Sequence, residues 1–202
     1  MYFVRIPKIL QRLFSSVIWC LPNVKKELYL TFDDGPHPEI TPWVLEQLKK
    51  HKAKATFFCL GENVKRYPEL LQRIINEGHS VGNHSYAHLD GWKTKDEDFL
   101  KDVYKAHNII ASPLFRPPYG KLTSMQIARL QTQFTIINWS LMPGDFDASI
   151  SSEQCFRNLL KAKSGDIVCL HDNEQSEQHL KWILPKFLDQ YSSFVFQKIQ
   201  LD

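Results

Sequence analysis

Apolar positions along the chain follow two alternating rhythms. Short runs rich in β-branched and aromatic side chains, such as Leu28-Tyr29-Leu30-Thr31-Phe32, read as buried strands. Between them lie longer segments whose apolar residues recur at helical spacing, such as Trp43, Val44, Leu45 and Leu48. The pattern predicts strands over 28–32, 55–60, 79–81, 114–115, 134–139, 167–170 and 194–199. It predicts helices opening at Thr41-Pro42 and over 68–77, 96–111, 124–131, 151–162 and 177–188. Thr41 is the expected N-cap of the first of these and Pro42 suits its first turn. Strand followed by helix, repeated, is the sign of a parallel sheet covered by helices. The expected fold is therefore α/β, a compact, distorted (β/α) barrel of about seven strands, with an open doubly wound sheet as the alternative. No internal repeat, low-complexity tract or linker breaks the pattern, so residues 1–202 read as a single domain.

The N-terminus departs from the rhythm. The run Leu13-Phe14-Ser15-Ser16-Val17-Ile18-Trp19-Cys20-Leu21 follows Arg5, Lys8 and Arg12. It is shorter than the ~20 residues that span a bilayer, and no small-residue cleavage site follows it. The expectation for residues 1–24 is an amphipathic helix packed on the domain, in preference to an export signal or a membrane-surface anchor. With no clear cleavable leader, the sequence assigns the protein neither to the cytoplasm nor to the cell envelope.

Composition narrows the classes. A hydrophobic share of 43% and an aromatic share of 12% suit a packed core rather than a disordered chain. Twenty-five basic against 22 acidic side chains leave a net charge of only +3, spread along the chain, so nucleic acid is not an expected partner. Cys20, Cys59, Cys155 and Cys169 form no CxxC pair and sit among bulky apolar neighbours, so they read as reduced, packed thiols.

The unusual polar residues gather at predicted strand ends, the face that carries the active site in β/α barrels. Asp33-Asp34 ends the first strand, where alternation lets the two carboxylates point in different directions and do different work. His84 and His88 stand four apart, the spacing at which one helical turn presents two nitrogens to one metal. With Asp34 they form a two-histidine, one-carboxylate set suited to zinc, and also to iron, cobalt or nickel. Amide hydrolysis further needs a base for the attacking water and an acid for the departing amine. Asp33 is placed to be the base, braced by Arg116, and His171 to be the acid, tuned by Asp145. A base-and-acid pair argues against a non-haem iron oxygenase built on the same ligands.

These segments resemble the motifs of the polysaccharide deacetylases, the NodB-homology group of carbohydrate esterases. They read Thr31-Phe32-Asp33-Asp34-Gly35-Pro36-His37, His84-Ser85-Tyr86-Ala87-His88, Arg116-Pro117-Pro118-Tyr119-Gly120, Trp139 through Asp145-Phe146, and Leu170-His171-Asp172. All five occur in order. The resemblance implies a metal-dependent hydrolase, with zinc, cobalt or nickel as cofactor, that removes N-acetyl groups from N-acetylglucosamine-containing glycans of a cell wall or another polysaccharide. It implies Asp33 as base, His171 as acid, Arg116 and Asp145 as their supports, and Asp34, His84 and His88 as metal ligands. It also implies an oxyanion contact from the backbone N–H of Tyr119, and an acetyl pocket lined by Trp139 and Leu170. Phe146 stands where the family usually has Trp and Ser85 where it commonly has Thr, which bears on the substrate groove rather than on the chemistry. An amidase or O-acetyl esterase acting on another small substrate would use the same machinery. His37, a weak candidate for the substrate rim, and His51, His79, His107 and His179 are expected at the surface or in loops.

Overall fold

The structure, a computed structural model, describes residues 2–21 and 26–200. Seven strands alternate with helices: β1 (Glu27–Asp33), β2 (Ala55–Cys59), β3 (Ser80–Asn83), β4 (Leu114–Phe115), β5 (Thr135–Ile136), β6 (Ile167–His171) and β7 (Val195–Phe196). The helices are α1 (Lys8–Leu13), α2 (Ile40–Lys50), α3 (Gly61–Arg66), α4 (Pro68–Asn76), α5 (Asp96–Ile110), α6 (Ser124–Leu130), α7 (Ser152–Leu159) and α8 (Glu177–Gln190). All strand pairs are parallel, in the order β5-β4-β3-β2-β1-β6, with β7 beside β1.

The sheet curls until its edges meet. Beyond β5 the chain leaves β4 and reaches β6, where Cys169 N–H donates to the Leu141 carbonyl at 2.9 Å and Leu141 bridges Val168. The expected strand over 134–139 is thus shared between two neighbours, and only its first part is regular strand. This is the compact barrel that the alternation predicted.

Alternation along each strand sorts side chains into two layers. Leu28, Leu30 and Phe32 of β1, with Val168 and Leu170 of β6, face the helices in one large apolar cluster. Tyr29, Ile167 and Cys169 face inward, in a second cluster with Phe58, Ile137 and Trp139. Asp33 is paired with His171 in the β1–β6 register, so both belong to the inward layer at the strand ends.

Four local expectations need correction. Residues 14–21 are not a helix: α1 ends at Leu13, a turn follows, and Ile18 forms a parallel bridge to Ile137, with Ile18 N–H donating to Ile136 O at 2.9 Å and Asn138 N–H to Ile18 O at 2.8 Å. β-Branched residues favour such pairing against an open edge. Pro22 to Lys25, also covered by that expectation, lie outside the described residues. Among the described residues no helix is long and apolar enough to cross a membrane. Thr41 is not an N-cap: α2 starts one residue earlier, and Thr41 Oγ1 accepts His37 N–H at 2.7 Å and donates to the Asp172 carboxylate. His37 Nδ1 instead accepts the N–H groups of Glu39 and Ile40 at the helix start. His79 and His179 are buried rather than at the surface, the first accepting Ala55 N–H and the second paired with the Ser152 hydroxyl at 2.8 Å. Of the four thiols, Cys59, Cys155 and Cys169 are packed and Cys20 is exposed.

Candidate active site

The strand ends surround a cavity of about 550 Å³ whose walls include Asp33, Asp34, His84, His88, Tyr119, Trp139 and His171. Residues spread over more than 130 positions of sequence meet there because β1, β3, β4 and β6 end at the same face.

Asp34 follows β1 with φ of +76°, which turns its carboxylate away from the strand's alternation. Its backbone carbonyl accepts Asn63 Nδ2–H at 2.8 Å, and its Oδ2 accepts Asn173 Nδ2–H at 2.7 Å. Oδ1 is buried and has no hydrogen-bond partner among the described residues, a costly arrangement for a carboxylate oxygen unless a ligand completes it. Toward that oxygen point His84 Nε2 at 3.5 Å and His88 Nε2 at 3.2 Å. The three ligand atoms lie within 4.8 Å of one another.

The two histidines do not sit on a helical turn. Ser85 and His88 adopt left-handed φ values of +67° and +56°, in a loop whose Tyr86 and Ala87 N–H groups are held by the Asp102 carboxylate at 2.8 and 3.1 Å. The i, i+4 spacing succeeds through this loop, because the two positive φ angles fold both rings to one side, with centroids 5.1 Å apart. His84 Nδ1–H donates to the Arg116 carbonyl at 2.8 Å, which leaves its Nε2 lone pair facing the cavity. Burial, with the neighbouring His84, pulls the pKa of His88 down to about 4, so its imidazole is neutral and able to ligate. Burial would raise the pKa of Asp34, but the nearby His84, His171 and His88 imidazoles hold it below the usual carboxylate range. An unpartnered carboxylate oxygen facing two imidazole nitrogens is a fitting donor set for a divalent metal ion.

Beside this group stands a different carboxylate. Asp33 Oδ1 accepts Arg116 Nη1–H at 2.7 Å, and both residues are almost wholly buried. Arg116 also donates to Thr31 Oγ1 at 2.6 Å, to the Asn138 carbonyl at 3.1 Å and to the Ile137 carbonyl at 3.3 Å, so its plane is fixed on several sides. The second oxygen, Oδ2, receives the Cys169 S–H at 3.3 Å. Across the cavity, His171 Nδ1–H donates to Asp145 Oδ1 at 3.0 Å while His171 N–H donates to Asp145 Oδ2 at 2.7 Å. Burial disfavours charge on His171, but the Asp145 carboxylate outweighs it and raises the imidazole pKa well above its ordinary value. The Phe146 ring meets the His171 ring edge-on at 5.2 Å and the Tyr2 ring at 5.0 Å.

Tyr119 sits in a tight turn with φ of +59°, its ring 4.6 Å from that of His88. Trp139 lines the cavity as expected, but Leu170 does not. Strand parity turns Leu170 into the helix-facing cluster, fully buried beside Leu30 and Phe32, and Cys169 holds the inward position. The sequence reading also missed Asn173, Met142, Lys121 and Tyr2 in the wall. Asn173 lies two residues past His171, and its adjacency was the one available signal. Nothing in the sequence brings Tyr2 there.

Beneath the site, Asp172 is buried against Gly35, where a Cβ would come within 2.3 Å of its carboxylate. Burial raises its pKa to about 8, opposed by the Thr41 hydroxyl.

Residues 21–134 match the sequence model described as polysaccharide deacetylase. A peptidoglycan-N-acetylglucosamine deacetylase of Bacillus cereus is 38% identical over 192 residues, covering 89% of this chain and 90% of that protein. A chitooligosaccharide deacetylase of Azorhizobium caulinodans is 32% identical, covering 78% and 79% of the two chains. A crystal structure of a peptidoglycan N-acetylglucosamine deacetylase, solved with an aryl N-hydroxybenzamide, superposes with a TM-score of 0.79 at 31% identity, covering 91% of each chain.

Proposed function

The chain belongs to the polysaccharide deacetylase family, a family of hydrolases, and we propose that it removes N-acetyl groups from N-acetylglucosamine units of a glycan such as peptidoglycan or a chitin-like chain. The observation that carries this reading is one cavity holding a candidate metal-ligand group, Asp34, His84 and His88, together with an Arg-braced carboxylate and an imidazolium. The relatives' names supply the glycan.

Asp34, His84 and His88 would hold a divalent ion, zinc by preference and otherwise cobalt or nickel, which when bound would supply Lewis acidity toward the acetyl carbonyl and toward water. Asp33 takes the proton from the attacking water, its carboxylate aimed by Arg116. The Tyr119 backbone N–H would stabilise the oxygen on which charge develops. His171, kept protonated by Asp145, gives its Nε2 proton to the departing amine nitrogen. The products are acetate and a free amino sugar. Trp139 and Met142 flank the space for the acetyl methyl group.

The test is acetate release from N-acetylglucosamine oligomers and peptidoglycan fragments, comparing chelator-stripped protein with protein reloaded with zinc, cobalt or nickel. The expected result is release that returns with the metal. Release that persists undiminished after stripping overturns the metal role. Failure on every glycan, with turnover of another acylated substrate, assigns the same machinery to an amidase or esterase.

A further inference from the structure

The proposed base and acid share a neighbour that the deacetylation chemistry does not use. Cys169 lies two residues before His171 on β6, on the same inward face and one layer deeper. Its S–H donates to Asp33 Oδ2 at 3.3 Å. One ligand atom each from Asp33, Cys169 and His171 lies within 4.8 Å of the other two. Asp33 Oδ1 is engaged by Arg116 at 2.7 Å, and His171 Nδ1 by Asp145 at 3.0 Å. Oδ2 and Nε2 therefore remain to meet an incoming ligand. Asp33 and His171 form part of the cavity wall, with the fully buried thiol behind them.

This group differs in kind from Asp34, His84 and His88, because it contains sulfur. Tetrahedral zinc, with bonds of about 2.0–2.3 Å, sets its ligand atoms about 3.3–3.8 Å apart. The 3.3 Å between Cys169 Sγ and Asp33 Oδ2 already meets that spacing. Thiolate, imidazole and carboxylate together suit zinc or cobalt, whereas magnesium and calcium prefer oxygen alone. Occupancy has a cost. Burial and the Asp33 charge push the Cys169 thiol up to about 12, and the Asp145 carboxylate keeps the His171 imidazole protonated. A metal must expel both protons, so this group fills after the Asp34 group, where no thiol proton has to leave.

We propose that Asp33, Cys169 and His171 form a second metal site, which takes a zinc or cobalt ion when the metal is in excess and thereby shuts off catalysis. Asp33 Oδ2, Cys169 Sγ and His171 Nε2 become the ligands. The thiol proton and the Nε2 proton pass to solvent, and no electron is transferred. The ion then ties up both the base for the attacking water and the acid for the departing amine. The inhibition rests on the proposed function, and the binding does not.

The test is a cobalt(II) titration of metal-free protein, followed by thiolate-to-cobalt charge-transfer absorption, with acetate release measured at each point. A Cys20→Ser background removes the exposed thiol. The expected result is that the first equivalent restores turnover without the absorption band. The second brings in the band and lowers turnover about tenfold or more, and excess magnesium does neither. Cys169→Ala and Cys169→Ser lose the band, and each binds the second equivalent about tenfold or more weaker, as befits the loss of a ligand. His88→Ala, which lacks one atom of the first group, develops the band with its first equivalent, so the site is read in a protein whose Cys169 is native. A band that persists in both Cys169 variants, or is absent from the native and His88→Ala proteins, overturns the proposal. A band without loss of turnover, or equal inhibition of native and Cys169 variants by excess metal, overturns the inhibition. If no glycan releases acetate, the proposed function fails, and the band still decides the site separately.

Discussion

Replacing Asp33 with Asn keeps the shape of the side chain and removes its charge. The amide oxygen still accepts Arg116 Nη1–H, which is 2.7 Å away in the native protein, but it cannot hold a proton from water. A positioned general base contributes about 10²–10⁴-fold to rate, or roughly 2.7–5.4 kcal/mol of transition-state stabilisation. The loss of acetate release should fall in that range. Stability should also drop, because Arg116 is fully buried and loses its counter-charge. Breaking a buried pair costs ~3–5 kcal/mol when a partner is removed outright, and the retained hydrogen bond holds the cost to about 3 kcal/mol or less. For a chain of this size that lowers Tm by at most roughly 6–12 °C. Metal content should not change, because Asp33 lies outside the Asp34, His84 and His88 group. Turnover, differential scanning and elemental analysis of one preparation give all three numbers. Near-native turnover, or metal lost along with activity, would refute the separation of base from ligand.

Other expectations test the remaining parts. Asp145→Asn removes the carboxylate that outweighs burial at His171, so the imidazole pKa falls. The acid form is then lost at lower pH, and the alkaline limb of the kcat profile should move downward; an unmoved limb would free His171 of the acid role. His88→Ala removes one of three candidate ligand atoms and should lose metal by elemental analysis, with unchanged content counting against the set. Asn173→Ala releases Asp34 Oδ2 and should weaken metal affinity about 10–100-fold in a calorimetric titration, while a native affinity would make Asn173 a bystander. Gly35→Ala would drive a Cβ to within 2.3 Å of the Asp172 carboxylate and should cost about 1–3 kcal/mol in denaturant unfolding.

The sequence by itself determined the layers and the family. Strand and helix rhythms are local properties of the chain, so all seven strands and the main helices were legible. The polar clusters that meet in the cavity, Asp33-Asp34, His84, His88 and His171, were legible too, because parallel strands end on one face and polar clusters at strand ends have few structural uses. Tertiary structure decided what depends on parity, loop dihedrals and distant pairing. Leu170 faces the helices because β6 pairs Asp33 with His171, and one residue of register separates pocket from core. His84 and His88 converge through two left-handed residues that no spacing rule foresees. The 13–21 run looked helical in isolation, but the open edge at 136–138 offered its backbone partners and drew it into an extended path. A second pairing, of Val4 and Ile6 with Met142 and Ser140, brings Tyr2 to the site, and no local signal in the sequence could have told where the other half of either pairing lay.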